Sequence, residues 1–397
     1  MLSLSQKSES ITPSSTLAIT AKITAMQAEG IDVIKFAAGE PDFDTPDYIK
    51  EAAITAINEG FTKYTSASGI PELKEAIVEK FKRDNGLIYK PSQVIVSCGA
   101  KHTIYNILQS ICNPGDEVIF AAPYWVSYIE MVKLADATPI VIETTASQNF
   151  SMTPEQIESV VSDKTKAIII GSPSNPTGTV YHPDTLKQIA EIAVKGQFYV
   201  ISDEIYESLL YDGLTHQGIA SFGKDIQDIT FVVNGVSKAY SMTGWRIGYT
   251  AGPEKAIQGM SRIQSHSTSN PTSISQKAAL AALSGSQEAV ETMRQAFEER
   301  RNAIAQRFDE LEGVTYIKPQ GAFYIFPDFS AHYGRTINGR TINGSMDMAA
   351  YLLEDAKVGV IPGNGFGADK HLRLSFAISL EEINRGLDRI KKALAHA

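Results

Sequence analysis

The sequence is poor in cysteine, and it lacks both a long apolar run and an excess of positive charge. With only Cys98 and Cys112 among 397 residues, a disulfide framework is excluded and a thiolate metal site is not expected. The longest obvious apolar run, residues 167–170, is far shorter than the roughly 18 residues that a membrane span needs. A formal net charge of −9 argues against nucleic acid or an anionic membrane as a partner.

The first residues lack the apolar core of a signal peptide and the arginine-rich character of a transit peptide, so we expect a cytoplasmic protein. The hydrophobic share of 43% and the charged share of 20% are typical of a soluble globular chain. Its length exceeds one ordinary core and favours a large domain with a smaller companion, or two equal domains.

Apolar β-type runs alternate with helical stretches through the middle of the chain. The runs are residues 94–97, 117–120, 139–142, 166–170, 198–201 and 229–234. This alternation predicts an α/β fold with a mostly parallel sheet and helices on both faces. Ala122-Pro123 and Asn175-Pro176 follow two of the runs, and we expect both peptide bonds to be cis.

The last third of the chain reads as a long helical region followed by short strands. We predict one helical region over residues 272–311, with a solvated charged face at 294–307, and then strands at 321–327, 358–361 and 371–377. The tandem pentapeptide at 335–344 is too short to indicate a solenoid, so we predict a mobile surface loop without a catalytic role.

A lysine follows the run at 229–234, at a position where open α/β sheets place their ligands. Lys238 has small neighbours that let the backbone approach a ligand, and Ser237 and Arg246 beside it suit a phosphate. An ordinary solvated lysine is the alternative. The combination indicates an aldehyde cofactor that carries a phosphate and is held by the lysine as a Schiff base.

The turn Gly99-Ala100-Lys101 opens a helix directly after a strand, so its free amides and helix dipole offer a further anion site. Most such helix starts bind nothing. Arg373 stands on the inward face of a predicted strand, where a buried arginine needs an anion that is either a structural carboxylate or a ligand.

The stretch Ser-Lys-Ala-Tyr-Ser-Met-Thr-Gly-Trp-Arg-Ile-Gly at 237–248 closely resembles the pyridoxal-phosphate lysine signature of class I aminotransferases. The resemblance runs over nearly the whole chain and is to the Ib branch of aspartate aminotransferases. It implies a fold-type-I pyridoxal-phosphate transferase with a large domain at 47–300 and a small α/β domain made from 1–46 and 301–397. It also implies a homodimer with shared active sites, and amino acids and 2-oxo acids as substrates.

The resemblance assigns roles to particular residues. Lys238 binds pyridoxal 5′-phosphate and carries the proton, while Gly99, Ala100, Lys101, Ser237 and Arg246 contact its phosphate, joined from the other subunit by Tyr64. Trp125 stacks on the ring, Asp203 faces the ring nitrogen, and Asn175 and Tyr206 share the phenolic oxygen. Gly39 and Arg373 meet the substrate α-carboxylate, and Trp125 and Asn175 contact the substrate as well as the cofactor.

Simpler interpretations stand beside several of these roles. Trp125 could be a core residue, Asn175 a turn residue, and Asp203 a helix cap. Lys101 could neutralise the cofactor phosphate or bind the distal carboxylate of an acidic substrate, as a lysine in this turn does in Ib relatives. No metal is expected.

The implied reaction is ping-pong transfer of the amino group of L-aspartate to 2-oxoglutarate. Prephenate or aromatic side activity remains open, because some Ib relatives transaminate prephenate. Two rivals are a Ser-Lys hydrolase, since residues 221–224 read Ser-x-x-Lys, and a non-catalytic sensor built on an aminotransferase body.

Overall fold

The computed structural model describes residues 3–13, 15–337 and 339–395, without the side chain of Ser15. Met1, Leu2 and Asn338 therefore lie outside the described residues, although the predictions for the amino terminus and for the tandem pentapeptide include them. Within the described residues, no helix is both long and apolar enough to cross a membrane.

A seven-stranded sheet forms the centre of the molecule, in the order β2-β8-β7-β6-β5-β3-β4. Its strands are β2 Val94–Ser97, β3 Glu117–Ala122, β4 Thr138–Glu143, β5 Thr165–Gly171, β6 Tyr199–Asp203, β7 Thr230–Gly235 and β8 Gly248–Ala251. The pairings among β3, β4, β5, β6 and β7 are parallel, whereas β8 pairs antiparallel with β2 and β7. The predicted mostly parallel sheet is confirmed.

Helices cover both faces of this sheet because alternate strand residues are apolar on both sides. In β3, Ile119 packs in a cluster with Leu186, and its neighbour Phe120 packs in a cluster with Ile104 on the opposite face. The α-helices are α1 Gln6–Ser10, α2 Ser15–Ala28, α3 Asp47–Asn58, α4 Pro71–Asn85, α5 Ala100–Ile111, α6 Ser127–Leu134, α7 Pro154–Val160, α8 Pro183–Gly196, α9 Lys224–Gln227, α10 Glu254–Ser265, α11 Ser273–Ser284, α12 Glu288–Phe308, α13 Ser345–Glu354 and α14 Leu380–Ala395.

Strand β8 was not predicted, because a glycine begins it and another follows it, and glycine weakens a strand signal. A Cβ atom on Gly248 would overlap the backbone of Gly99 and Ala100. The glycine therefore lets β8 lie directly against the start of α5, which brings the lysine-bearing segment next to that helix.

A second core contains residues from both chain ends. Strand β1, Ile34–Lys35, pairs parallel with β12, Val358–Gly359, and a three-stranded antiparallel sheet joins β13 Ile361–Pro362, β14 Leu372–Ser375 and β9 Tyr324–Ile325. Phe36, Phe297 of α12 and Leu387 of α14 lie in one buried cluster with these strands. The strands predicted at 321–327, 358–361 and 371–377 are present but shorter, and the second is split at Val360.

The single helical region predicted over 272–311 is wrong, because Gly285 separates α11 from α12 in an extended conformation. A side chain there would collide with the ring of Tyr48. The expectation of a solvated face at 294–307 also fails at Arg301, which is 0% exposed. Its guanidinium donates to both carboxylate oxygens of Asp212, at 2.7 and 2.8 Å, which satisfies a buried charge.

The surface loop predicted at 335–344 is also wrong as a description of structure. Strands β10 Thr336–Ile337 and β11 Arg340–Thr341 form an antiparallel pair. Ile337 and Ile342 are fully buried in the second core, and the apolar isoleucine of each pentapeptide is thus what fixes the segment.

The structure contains a cis bond at Ala122-Pro123, as predicted, but the second cis bond is Ser172-Pro173 and not Asn175-Pro176. Both prolines follow β5 within a few residues. The sequence pattern therefore fits either proline, and the prediction chose the wrong one.

Candidate active site

A cavity of about 410 Å³ opens at the carboxyl ends of the parallel strands β5, β6 and β7. Ligands of open α/β sheets bind at this edge, and the volume lies within the usual range of small-molecule sites. Eleven of the predicted site residues line it: Gly39, Ala100, Lys101, Trp125, Asn175, Asp203, Tyr206, Ser237, Lys238, Arg246 and Arg373. Gly99 lies directly behind this lining, whereas Tyr64 lies outside the cavity and is 91% exposed.

Lys238 follows β7 and reaches across the cavity floor. Its Nζ donates to the backbone oxygen of Gly39 at 2.6 Å and lies 5.8 Å from the ring centre of Tyr206. Burial, helped by the nearby charge of Arg373, lowers the pKa of Lys238 to about 8. At pH 7 about one such lysine in ten is a neutral amine, far more than for an exposed lysine.

One end of the cavity is made by the start of α5 and by Arg246. Gly99 has a φ of 92°, and a Cβ atom there would overlap the Arg246 guanidinium. That guanidinium donates to the backbone oxygen of Thr243 at 2.9 Å and to that of Cys98 at 3.3 Å. The free amides of the helix start, the helix dipole and a fixed arginine together suit a phosphate.

Asp203 ends β6 and is the acidic residue of the cavity. Its Oδ2 accepts a hydrogen bond from the Tyr128 hydroxyl at 2.6 Å, and its Oδ1 accepts one from the Ile205 amide at 3.4 Å. Burial raises the pKa of the Asp203 carboxyl, while the Tyr128 hydrogen bond opposes that rise. A neighbouring cation would therefore be strongly favoured beside this buried carboxylate.

The Tyr128 contact was missed by sequence analysis. Tyr128 lies in the first turn of α6, three residues after Trp125, and the two rings meet edge to face with centres 5.5 Å apart. A tyrosine one helical turn beyond a predicted stacking tryptophan was the available signal. Tyr128 thus connects Trp125 to Asp203.

Arg373 comes from β14 and is 2% exposed. Its Nη1 donates to Asn175 Oδ1 at 3.0 Å and its Nη2 donates to the backbone oxygen of Ala37 at 3.3 Å. Its Nε is buried without a hydrogen-bond partner, and among the described residues no carboxylate forms an ion pair with it. Of the two anions that the sequence left open, a ligand therefore fits better than a structural carboxylate.

Lys101 lines the cavity from α5, with its Nζ 5.1 Å from the ring centre of Trp125. Burial, together with the charge of Arg246, lowers the pKa of Lys101. Both of its predicted roles, at the phosphate and at a distal carboxylate, remain compatible with this position.

The Ser-Lys hydrolase alternative fails on geometry. The Ser221 hydroxyl donates to the backbone oxygen of Gly218 at 2.8 Å, while Lys224 forms an exposed ion pair with Asp228. Neither residue lines the cavity, so the hydroxyl has no amine to activate it.

A family model described as aminotransferase class I and II matches residues 31–390. The chain belongs to this family. It is 51% identical to an aspartate aminotransferase of Bacillus sp. (strain YM-2), over 98% of each chain. It is also 49% identical to the bifunctional aspartate aminotransferase and glutamate/aspartate-prephenate aminotransferase of Petunia hybrida, over 99% of this chain and 83% of that one.

Solved aminotransferases share the fold. An aspartate aminotransferase from Rhizobium meliloti superposes with a TM-score of 0.96 at 40% identity and covers 100% of both chains. The enzyme from Thermus thermophilus with maleate gives 0.93 at 42% identity, over 99% of this chain and 100% of that one. The aminotransferase is therefore an enzyme whose substrates are amino acids and 2-oxo acids.

Aminotransferases of this class depend on pyridoxal 5′-phosphate, and the residues of the cavity fit that cofactor. The pKa of Lys238 is lowered by burial, and the charges of both Arg246 and the buried Asp203 act on its amine. The side-chain-free Gly99 leaves room for Arg246 at the anion site, and the orphaned Nε of Arg373 offers a separate place for a carboxylate.

Proposed function

We propose that this aminotransferase transfers the amino group of L-aspartate to 2-oxoglutarate and forms oxaloacetate and L-glutamate. The observation that carries the proposal is the presence of two separate cations for the two carboxylates of these substrates. Arg373, with its orphaned Nε, suits the α-carboxylate, and Lys101 lies elsewhere in the same cavity. Relatives named as aspartate aminotransferases support the same assignment.

Pyridoxal 5′-phosphate, when bound, supplies the aldehyde carbon that exchanges amino groups and a ring that accepts electrons from the substrate α-carbon. Lys238 would hold this aldehyde through its Nζ, and as a free amine the same Nζ would carry the proton to and from the substrate α-carbon. A pKa of about 8 and burial keep part of this amine neutral, as a base must be.

Asp203 would keep the ring nitrogen of the cofactor protonated, because its carboxylate is buried and is oriented by Tyr128. Tyr206 and Asn175 would donate hydrogen bonds to the phenolic oxygen. Trp125 packs on the ring face, and Tyr128 supports it from the side. The Gly39 amide joins Arg373 at the substrate α-carboxylate.

The phosphate is bound by the turn at Gly99, Ala100 and Lys101, together with Ser237 and Arg246. We include Tyr64 of a partner subunit, because in its own chain Tyr64 is exposed and outside the cavity. The proposal therefore includes a homodimer. Inactive Tyr64 and Lys238 variants, refolded together, should recover activity in hybrid dimers, and no recovery would contradict shared sites.

We also propose a division into a large domain at 47–300 and a small domain at 1–46 and 301–397. The pairing of β1 with β12 supports a small domain that contains both chain ends. Cytoplasmic location is proposed as well, in keeping with two free cysteines.

Prephenate is a second candidate amino acceptor. Relatives named aspartate/prephenate aminotransferase match over 98% of this chain, and Thr16 and Leu17 of α2 add a polar and an apolar group to the cavity lining.

The decisive experiment is a steady-state panel of amino donors against 2-oxoglutarate, oxaloacetate and prephenate. We expect aspartate with 2-oxoglutarate to give the highest kcat/KM, and borohydride to abolish the visible absorbance and label Lys238. Arg373→Ala should weaken all donors alike, by about 2 to 5 kcal/mol, because every donor has an α-carboxylate. Losses confined to acidic donors would contradict that role, and a panel led by neutral donors would contradict the aspartate assignment.

A further inference from the structure

Tyr324 is a buried cavity residue to which the sequence assigned no role. It is 1% exposed, it begins β9, and it lines the cavity between Tyr206 and Arg373. Its hydroxyl oxygen lies 3.0 Å from that of Tyr206, and the Arg373 guanidinium carbon lies 4.4 Å from its ring centre. One side chain thus contacts two of the groups that the proposed function uses.

We propose that Tyr324 is a positioning residue that acts through both neighbours. Its hydroxyl donates to Tyr206 and strengthens the hydrogen bond that Tyr206 gives to the phenolic oxygen of the cofactor. Its ring holds the Arg373 guanidinium at the angle at which it meets the substrate carboxylate. This inference rests on the roles of Tyr206 and Arg373 in the proposed function.

The direction of the hydroxyl pair follows from the hydrogen-bond inventory. A tyrosine hydroxyl has one proton, so Tyr206 can donate to the cofactor only if its own oxygen accepts from Tyr324. Burial raises the pKa of both phenols, so both keep their protons at neutral pH. Donors in a chain polarise one another, and Tyr206 becomes a stronger donor when Tyr324 stands behind it.

The ring contact with Arg373 is separable from the hydroxyl contact. The guanidinium lies between the rings of Tyr324 and Phe366, with its carbon 4.4 and 5.2 Å from the two centres. Such cation–π contacts fix a planar cation in orientation. Removal of the hydroxyl alone should therefore leave carboxylate binding unchanged, whereas loss of the ring should weaken it.

A buried ring that only filled space would need no hydroxyl, as the neighbouring Phe323 shows with 0% exposure. Tyr351 provides a matched control. Its buried hydroxyl donates to the backbone oxygen of Ala393 at 3.0 Å, and the residue does not line the cavity. Tyr351→Phe removes a buried tyrosine hydroxyl without touching the proposed chain of donors.

The test is a spectrophotometric pH titration of the visible cofactor band in four holoenzymes: the parent, Tyr324→Phe, Tyr206→Phe and Tyr351→Phe. We expect Tyr324→Phe to raise the apparent pKa of the band by about half a unit, less than Tyr206→Phe does, and Tyr351→Phe to leave it unchanged. Adding Tyr324→Phe to Tyr206→Phe should give no further shift, because the chain is already broken.

The second measurement is the dissociation constant of a dicarboxylate inhibitor such as maleate. Tyr324→Phe should bind it like the parent, while Tyr324→Leu should bind it at least about threefold more weakly. If the apparent pKa of the cofactor band in Tyr324→Phe equals that of the parent while the pKa in Tyr206→Phe is shifted, the inference is overturned and the proposed function is left intact. No shift in Tyr206→Phe would overturn the inference together with the role of Tyr206 at the phenolic oxygen, and the donor panel would then test the proposed function on its own.

Discussion

The two sides of the cavity differ in how their charges are satisfied. Lys101, Lys238, Arg246 and Arg373 line it as cations, whereas Asp203 is its one carboxylate among the described lining residues. The carboxylate has a fixed protein donor in Tyr128, but Arg373 has a buried nitrogen with none. Arg373 therefore keeps a donor for an anionic ligand, while the carboxylate is oriented in advance for a cation.

The same comparison explains the two pKa directions. Burial disfavours charge on both sides, so it lowers the pKa of Lys238 to about 8 and raises that of Asp203. On the cationic side the charge of Arg373 adds to the effect of burial. On the acidic side the Tyr128 hydrogen bond works against it, which keeps a carboxylate available.

The largest loss of activity is expected when Lys238 is replaced. Lys238→Ala should bind the cofactor but lose transamination by roughly 10⁴-fold or more, because the covalent attachment and the proton carrier disappear together. Half-reaction kinetics with aspartate would measure the loss. Lys224→Ala, which removes an exposed lysine, is the control, and turnover near that of the parent in Lys238→Ala would refute the assignment.

The second largest effect is expected when the negative charge of Asp203 is removed. Asp203→Asn keeps the shape but leaves the ring nitrogen without an anion, so α-proton abstraction should slow roughly 10²- to 10³-fold while the fold remains. The exchange of the substrate α-deuterium with solvent reports this step directly. An unchanged exchange rate would mean that Asp203 serves only as a cap at the end of β6.

Lys101 tests whether each cation has its own anion. Lys101→Ser should lower kcat/KM for aspartate at least tenfold, about 1.4 kcal/mol, and change the values for alanine and phenylalanine little. The neutral donors are the internal control. Equal losses for acidic and neutral donors would assign Lys101 to the phosphate instead.

The smallest expected effect is on the pH dependence of cofactor capture by the apoprotein. The neutral Lys238 amine attacks the aldehyde, so the rate should rise with pH and level off above an inflection near 8. Arg373→Leu removes a cation that lowers this pKa, and the inflection should move upward. A stopped-flow series at increasing pH measures it, and a downward movement would contradict the coupling.

Sequence analysis predicted the charged groups that line the cavity better than the residues that support them. Lys238, Asp203 and Arg373 each lie in a short local pattern at a strand end or on a strand. Such patterns can be recognised from the sequence alone. Tyr324 was missed because its importance comes from Tyr206 and Arg373, which lie far from it along the chain. No local spacing records such a contact.

Prediction of the fold was limited in the same way, because contacts between residues distant along the chain could not be read from the sequence. The parallel strands were predicted because a strand that is buried on both faces reads as a continuous apolar run. Strand β8 was missed because it begins with Gly248, a residue that does not indicate a strand. Glycine is needed there because the backbone at the start of α5 leaves no room for a side chain. Arg301 was taken for a solvated residue because its partner Asp212 lies 89 positions away.

The hydrogen bond from Arg373 to Ala37 joins residues 336 positions apart, so the part of the cavity around Arg373 forms only after the two ends of the chain have met. A ligand that binds this state alone stabilises it by mass action, about 2.7 kcal/mol at a hundredfold excess over Kd. A carboxylate ligand bound at Arg373 would therefore raise the thermal unfolding temperature, because the two chain ends must separate before that ligand site is lost.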